Sequence, residues 1–204
     1  GTNRRDPAGP AINQAPVLAV NDANTGQWVA LMTIWAMHPT VLHEDSRCIS
    51  GDVPGMAREH LRRDVTGPEC PVVFHMGAAG NQSPRHVVRQ NTLAEADRLG
   101  GLLAQRITEA VTRAQPMDST RLSIHSAEVD LPIRHVCALE DAVSKRDRAA
   151  ERLRQLRDAG APRAEVRTAE CDLFGARQTV SLARAAADGR QADAARRCLP
   201  AEVT

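Results

Sequence analysis

His38-Pro39-Thr40 closes one apolar run of the chain, and Gly77-Ala-Ala-Gly-Asn-Gln-Ser83-Pro84 closes another. Each puts a chemically capable side chain where a buried strand breaks into a loop, the place where ligand sites collect in open α/β sheets. A histidine can ligate a metal or act as a general base near neutral pH. It can also simply cap a strand end, since Pro39 cannot continue a sheet ladder. His43, in a more polar stretch, is the weaker candidate, because His-x4-His without a supporting helix is not a specific metal pattern. Gly77-Ala78-Ala79-Gly80 is small enough for backbone to approach a ligand or a neighbouring strand closely. Backbone N–H groups of that turn could bind an oxyanion, and Ser83, fixed by Pro84, is a candidate nucleophile or substrate contact. Taken alone, the pattern is that of a structural turn. Arg85 and His86 add donors beside it. The segment is not the Gly-x-Ser-x-Gly elbow, and with no Lys after the glycines it is not a phosphate-binding Walker loop. Asp52, in Ser50-Gly51-Asp52-Val53-Pro54, is expected to cap a helix. Beside a metal-binding histidine it would instead steady the ligand from behind.

Elements that could hold these residues are legible on either side. The chain opens with a polar, Pro-rich stretch over residues 1–15, expected to be a loop. Val17-Leu-Ala-Val20 leads through Asn21–Gly26 into Gln27–Met37, a hairpin with a Gly-terminated turn. Trp28–Trp35 is apolar on both faces, which predicts a central strand covered on both sides. Val53, Ala57 and Leu61 follow the early proline at helical spacing. Pro71–Met76 reads as a second buried strand. From Leu93, apolar residues at 96, 99, 103, 107 and 110 mark an amphipathic helix. Thr120–Ile133 alternates loosely and is expected to be a strand.

The last third is charged and Ala-rich. Residues 137–158 and 163–187 flank the breaker Asp158-Ala-Gly-Ala-Pro162, and Val166, Ala169, Leu173, Ala176, Val180 and Ala183 step by three and four. This is an antiparallel helical hairpin with a narrow apolar stripe, either a solvated arm or a surface for self-association. The expected fold is therefore α/β: a mixed sheet with flanking helices on both faces and an appended antiparallel helical hairpin. The division expected is 1–135 for the sheet-bearing part, 136–190 for the hairpin and 191–204 for a tail.

Composition excludes several functions. With 204 residues and 42% hydrophobic content the chain can build a core, and with aromatics at 2% that core must rest on Leu, Val, Ile, Ala and Met. A net charge of +1 gives no electrostatic case for nucleic acid or a membrane surface. The five cysteines are scattered without a Cys-x-x-Cys pair, against a zinc knuckle or a disulfide framework. No run approaches the roughly 18 apolar residues of a transmembrane segment. The opening Gly1-Thr2-Asn3-Arg4 carries no signal peptide, and its lack of Met suggests a piece of something longer.

Taken together, Asn3-Arg4-Arg5, the hairpin, Ala36-Met-His-Pro-Thr-Val-Leu42, Ile49-Ser-Gly-Asp-Val-Pro-Gly55 and Phe74–Pro84 follow one another in the order of a known family. Over roughly residues 3–135 the chain resembles the neutral/alkaline, non-lysosomal ceramidases, in the middle of their N-terminal catalytic domain. The resemblance implies a zinc-dependent amidase releasing a fatty acid from a sphingoid amine, with a lipid-like or smaller N-acyl substrate. It implies His38 as a Zn2+ ligand and Ser83 as the serine of the Gly-Asp-x-Ser-Pro motif. That serine is either the nucleophile or, with zinc activating water, a positioning group; the water route is the one favoured. Asp52, Gly80, Asn81 and Arg85 would contact substrate or support the site. Asn81 stands where the family has Asp, the family's upstream His-Thr-His is not in this chain, and with no tyrosine its Tyr ligand is not either. The remaining ligands are expected outside this chain. The residues assign no compartment: a secreted or periplasmic location follows if the chain is family-like, and a cytoplasmic one stays open. The alternatives are a non-catalytic binding or assembly module on a degenerate hydrolase scaffold, and a hydrolase of a smaller N-acyl or ester substrate.

Overall fold

The computed structural model describes residues 2–43, 46–117, 121, 123–129 and 135–190. The chain divides into two compact units, Gly1–Arg121 and Leu122–Thr204. The first is α/β. Its sheet is mixed, with strands β2 (Val17–Asn21), β3 (Trp28–Trp35) and β4 (Val72–Met76) in the order β2-β3-β4. A two-residue strand β1 (Thr2–Asn3) pairs with an equally short β5 (Gln82–Ser83) in a second ladder. The helices are α1 (Asp52–Leu61), running into a π-helical turn at Arg62–Thr66, and α2 (Leu93–Thr112).

The β2–β3 hairpin forms as its turn residues predict. Asp22 Oδ1 accepts hydrogen bonds from the N–H groups of Asn24 and Thr25, at 3.0 and 2.7 Å, and Gly26 takes a φ of 72°. That left-handed conformation is one glycine adopts without strain. The pairing is antiparallel from Val17↔Thr33 to Val20↔Ala30, with an irregularity at Asn21. β3 and β4 are parallel, Leu31 opposite Val72 and Trp35 opposite Met76, with α1 in the crossover. Parallel strands need such a crossover because their like ends lie at the same edge.

Alternation along the strands assigns the two faces. Val17, Ala19, Leu31, Val72 and Phe74 join Val53, Ala57, Leu61, Ala96, Leu103 and Ile107 of α1 and α2 in one core. The opposite face carries Leu18, Val20, Ile34 and Val73, each about two-fifths exposed. β3 is thus central in the sheet as expected, but helices of this unit cover one face only. β4, expected to be a buried strand, instead lies at the sheet edge with only Val72 fully buried. The apolar content of these strands could not separate burial on both faces from a half-open sheet.

α1 and α2 pack closely because Gly100 lacks a side chain. A Cβ there would lie 2.5 Å from Cβ of Met56 and 2.8 Å from the backbone nitrogen of Ala57. The same interface is tied by His60. Its Nδ1 lies 2.6 Å from Arg63 Nη2, which can only donate, so the ring proton sits on Nε2 and goes to Asp97 Oδ1 at 2.9 Å. α2 begins at Thr92, whose hydroxyl accepts from the N–H of Glu95.

In the second unit, α3 (Leu139–Asp158) and α4 (Arg163–Ala187) make the expected helical hairpin. Leu153 and Leu156 cluster with Ala169 and Leu173, while Ala142 clusters with Val180 and Ala183. Contacts that pair late α3 with early α4 and early α3 with late α4 define an antiparallel pair. Gly160, at φ 61°, ends α3, and Ala161 N–H returns to the carbonyl of Leu156 at 2.9 Å. Arg157 and Arg167 both reach Glu170, at 2.7 and 2.9 Å. Burial pushes the Glu170 carboxyl up, but these guanidinium hydrogen bonds outweigh it and hold the group below its usual range.

Two further expectations are corrected. The first 15 residues are not wholly loop, because Thr2 and Asn3 pair with Ser83 and Gln82. The strand expected over 120–133 is irregular at its described positions, 121 and 123–129. Ile124 and Val129 there are 92% and 73% exposed, and alternation without a neighbouring strand has no ladder to join. Residues 120, 122 and 130–133 lie outside the described residues, as does the tail expected at 191–204. No described helix is long and apolar enough to cross a membrane.

Candidate functional site

Parallel pairing of β3 and β4 brings the two strand-end motifs to one edge. Beyond Trp35 and Met76 the strands stay in register for one more step, with Gly77 N–H donating to the Trp35 carbonyl at 3.0 Å. A Cβ on Gly77 would stand 3.1 Å from Ala36, so the glycine is required where the two chain segments touch. One residue further, His38 N–H donates to the carbonyl of Gln82 at 3.1 Å. That bond places His38 next to the residue preceding Ser83. The two candidates, 45 positions apart in the sequence, belong to one local structure.

Gln82 organises this junction and was not singled out by its type. Its side chain is buried at 1% exposure, where Oε1 accepts from Ile12 N–H at 3.1 Å and Nε2 donates to the Ala78 carbonyl at 3.3 Å. Its own N–H donates to Ala79. A long amide between a small-residue loop and a Ser-Pro turn is the sequence signal that could have marked it. The Asn3-Arg4-Arg5 segment docks on the same loop. Arg4 N–H donates to the Asn81 carbonyl at 2.8 Å, and the Arg4 carbonyl accepts from Arg85 Nη1 at 3.0 Å, with His86 Nε2 at 3.3 Å.

Ser83 is buried, and its hydroxyl oxygen accepts from the N–H of Arg85 at 3.3 Å. Among the described residues no base reaches that hydroxyl. His38 is half-buried, and its Nδ1 is enclosed with no hydrogen-bond partner. A buried ring nitrogen without a partner is costly unless it serves a ligand or a proton. The N–H groups of Ala78, Ala79 and Gly80 donate to no acceptor among the described residues. Gly80 is exposed, and a Cβ there would meet nothing within 4 Å, whereas Ala79 beside it is buried.

Asp52 and Asn81 take structural partners. Asp52 is the first residue of α1, and the helix's cap position is Gly51. Its carboxylate accepts from its neighbour Val53 at 2.8 Å and from Leu42 N–H, in the loop that follows His38, at 2.9 Å. Asp52 is 4% exposed and its φ of 51° is left-handed, a strained conformation for a residue with a Cβ. Its two acceptor oxygens bind the helix start to the His38 loop, so it acts as a brace more than as a cap. Asn81 Nδ2 donates to the Pro10 carbonyl at 2.9 Å. An aspartate there could not donate, which gives the amide its own reason in this chain. Arg85 stays beside the loop through Arg4, and His43 lies in the loop after His38, its carbonyl accepting from Ser46 N–H at 3.0 Å.

No three His, Cys, Asp or Glu side chains converge to hold a metal among the described residues. The orphaned His38 Nδ1 is one ring nitrogen here that a ligand could engage. No family model, curated protein or solved structure matches this chain.

Proposed function

We propose that residues 1–121 contribute one side of the active site of a zinc-dependent amide hydrolase resembling the neutral ceramidases, acting on linear N-acyl amides. The observation that carries this reading is the joining of the two strand-end motifs by the His38 N–H bond to Gln82. It sets an unpartnered imidazole, a buried serine hydroxyl and three free backbone N–H groups around one sheet edge.

In this reading His38 supplies one nitrogen to Zn2+, and the other ligands come from chain beyond these residues. Zinc bound there would polarise the amide carbonyl and activate water. The N–H groups of Ala78, Ala79 and Gly80 are donors for the oxygen that gains charge as the amide carbonyl is attacked. Ser83, with its oxygen fixed by Arg85 N–H and no base in reach, orients substrate or water; this favours the water route over a serine nucleophile. Asp52 holds the loop carrying His38 in place, and Gly80 leaves room for the substrate's approach. Neither residue moves a proton.

The test uses the protein expressed from its complete gene, assayed with zinc on a long-chain ceramide and on short N-acyl amides and esters. Release of fatty acid and amine is expected, His38→Ala losing bound zinc and turnover together and Ser83→Ala losing turnover while keeping zinc. Preference for the short substrates would narrow the reading to a smaller N-acyl or ester hydrolase. No hydrolysis of any N-acyl substrate by the zinc-loaded protein would sink it.

A second reading is favoured by Asn81, whose amide is committed to Pro10 where the resembling family has a carboxylate. It makes the chain a binding or assembly module on a hydrolase scaffold, self-associating through α3 and α4. Deleting residues 137–190 without change in the number of chains per particle, read by sedimentation equilibrium, would count against it.

A further inference from the structure

A cleft of about 570 Å3 lies on the first unit between the end of β3, the segment after Ser83 and one face of α2. It draws on Trp35 and Met37 where the site above uses His38, and on Val87 and Arg89 where that site uses Ser83. Its volume is within the range of small-molecule sites. The walls are apolar, formed by Trp35, Met37, Leu99 and Leu102, and Leu102 remains half exposed. Every charged side chain lining it is an arginine: Arg89, Arg98 and Arg106.

The carboxylates that neutralise two of these arginines stay out of the cleft. Glu95 takes Nε and Nη2 of Arg98 at 2.8 and 2.7 Å, and Glu109 takes Arg106 Nη1 at 2.8 Å, yet neither lines the space. The Arg89 guanidinium makes no side-chain hydrogen bond among the described residues; its backbone N–H goes to Glu95 at 2.8 Å, and its charge acts on that same carboxylate. An apolar floor whose charged border is guanidinium only, with the neutral amide of Asn13 beside it, suits one class of ligand. The body must be a hydrocarbon chain and the head an oxyanion, which arginine's planar fork recognises by paired, charge-assisted hydrogen bonds.

We propose that this cleft binds a single-chain amphipath with an anionic head, either a fatty carboxylate or an alkyl phosphate. The hydrocarbon lies along Trp35 and Leu102, and Arg89 with Arg106 holds the head. The inference does not rest on the hydrolase reading, since binding is read without turnover.

Trp35 supplies the probe. The chain has two tryptophans, so Trp28→Phe leaves Trp35 as the only one. In that background, 12-bromododecanoate and 12-bromododecyl phosphate, below their micelle concentrations, are expected to quench Trp35 saturably. 12-Bromododecanol and 12-bromododecyltrimethylammonium should bind at least about tenfold more weakly, the scale of one charge-assisted contact. Arg89→Gln with Arg106→Gln should weaken the two anions about tenfold or more and leave the alcohol unchanged. Leu102→Gln should weaken all four probes, with circular dichroism showing that both variants remain folded. A stronger response to carboxylate than to phosphate would assign the head group. Equal quenching by anionic and cationic probes, or no effect of the double arginine change, would overturn the proposal.

Discussion

Asn81 and Glu95 illustrate how single polar groups hold this unit. The Asn81 amide donates to Pro10, as does the amide of Asn3 at 3.0 Å, so two side chains fasten one carbonyl of the N-terminal segment. Asn81→Asp removes a donor and sets a carboxylate against that carbonyl. A loss of about 1 kcal/mol is expected in urea unfolding, the worth of one hydrogen bond; no loss would mean that Asn3 suffices alone. Glu95, near the start of α2, is buried with Arg98 on both its oxygens. The Arg98 hydrogen bonds lead, against the cost of burial, in lowering its pKa from 4.5 to about 2. Since the folded state favours the ionised form, this contribution is complete above about pH 4.5 and disappears as pH falls towards 2. Melting temperatures taken from pH 6 down to pH 2.5 should therefore fall more steeply for the parent than for Glu95→Gln. Parallel profiles would show that the ion pair contributes nothing to acid stability.

At the scale of elements, two glycines make opposite predictions from the same residue type. Gly100 sits where α1 and α2 touch, and an added methyl would meet Met56 and the backbone of Ala57. Gly100→Ala should cost about 1–3 kcal/mol through overpacking. Gly175, exposed within α4, would meet nothing within 4 Å. Gly175→Ala should stabilise the hairpin by about 0.5–1 kcal/mol by stiffening the unfolded chain. Denaturant midpoints decide both, and a neutral Gly100→Ala would mean the helices can separate without loss. Both helices were legible beforehand, from Val53, Ala57 and Leu61 in α1 and from Ala96, Leu103 and Ile107 in α2. Their contact was not, because a glycine within a helical pattern does not say which neighbour it admits. β1 is not legible for a similar reason: two residues of Thr-Asn carry no periodicity, and only the pairing with β5 makes them a strand.

For the whole molecule, two units with separate cores should respond separately to core truncation. Leu173 is 6% exposed in the cluster it shares with Leu153, Leu156 and Ala169. Leu173→Ala is expected to cost about 2–5 kcal/mol in the unfolding of α3 and α4 while leaving the tryptophan-reported unfolding of the first unit in place. Trp28 and Trp35 both lie in the first unit, so fluorescence follows that unit and helical circular dichroism follows both. A single transition shifted equally in both signals would mean that the two units unfold as one.

His38 and Ser83 drew attention because each ends an apolar run, and the sequence alone determined that much, along with the hairpin turn, α1, α2 and the paired helices of the last third. These features depend on neighbours within a few positions, where alternation, helical spacing and turn residues act directly on the chain. Only the tertiary structure decided that β3 and β4 run parallel, that the first unit's own helices cover one sheet face, and that Asp52 braces the His38 loop. Parallel pairing across 36 intervening residues from Trp35 to Val72 is set by where α1 can pack, a choice no local pattern encodes. It is this pairing that turns two strand ends into one edge, with the His38 N–H on the carbonyl of Gln82 beside Ser83.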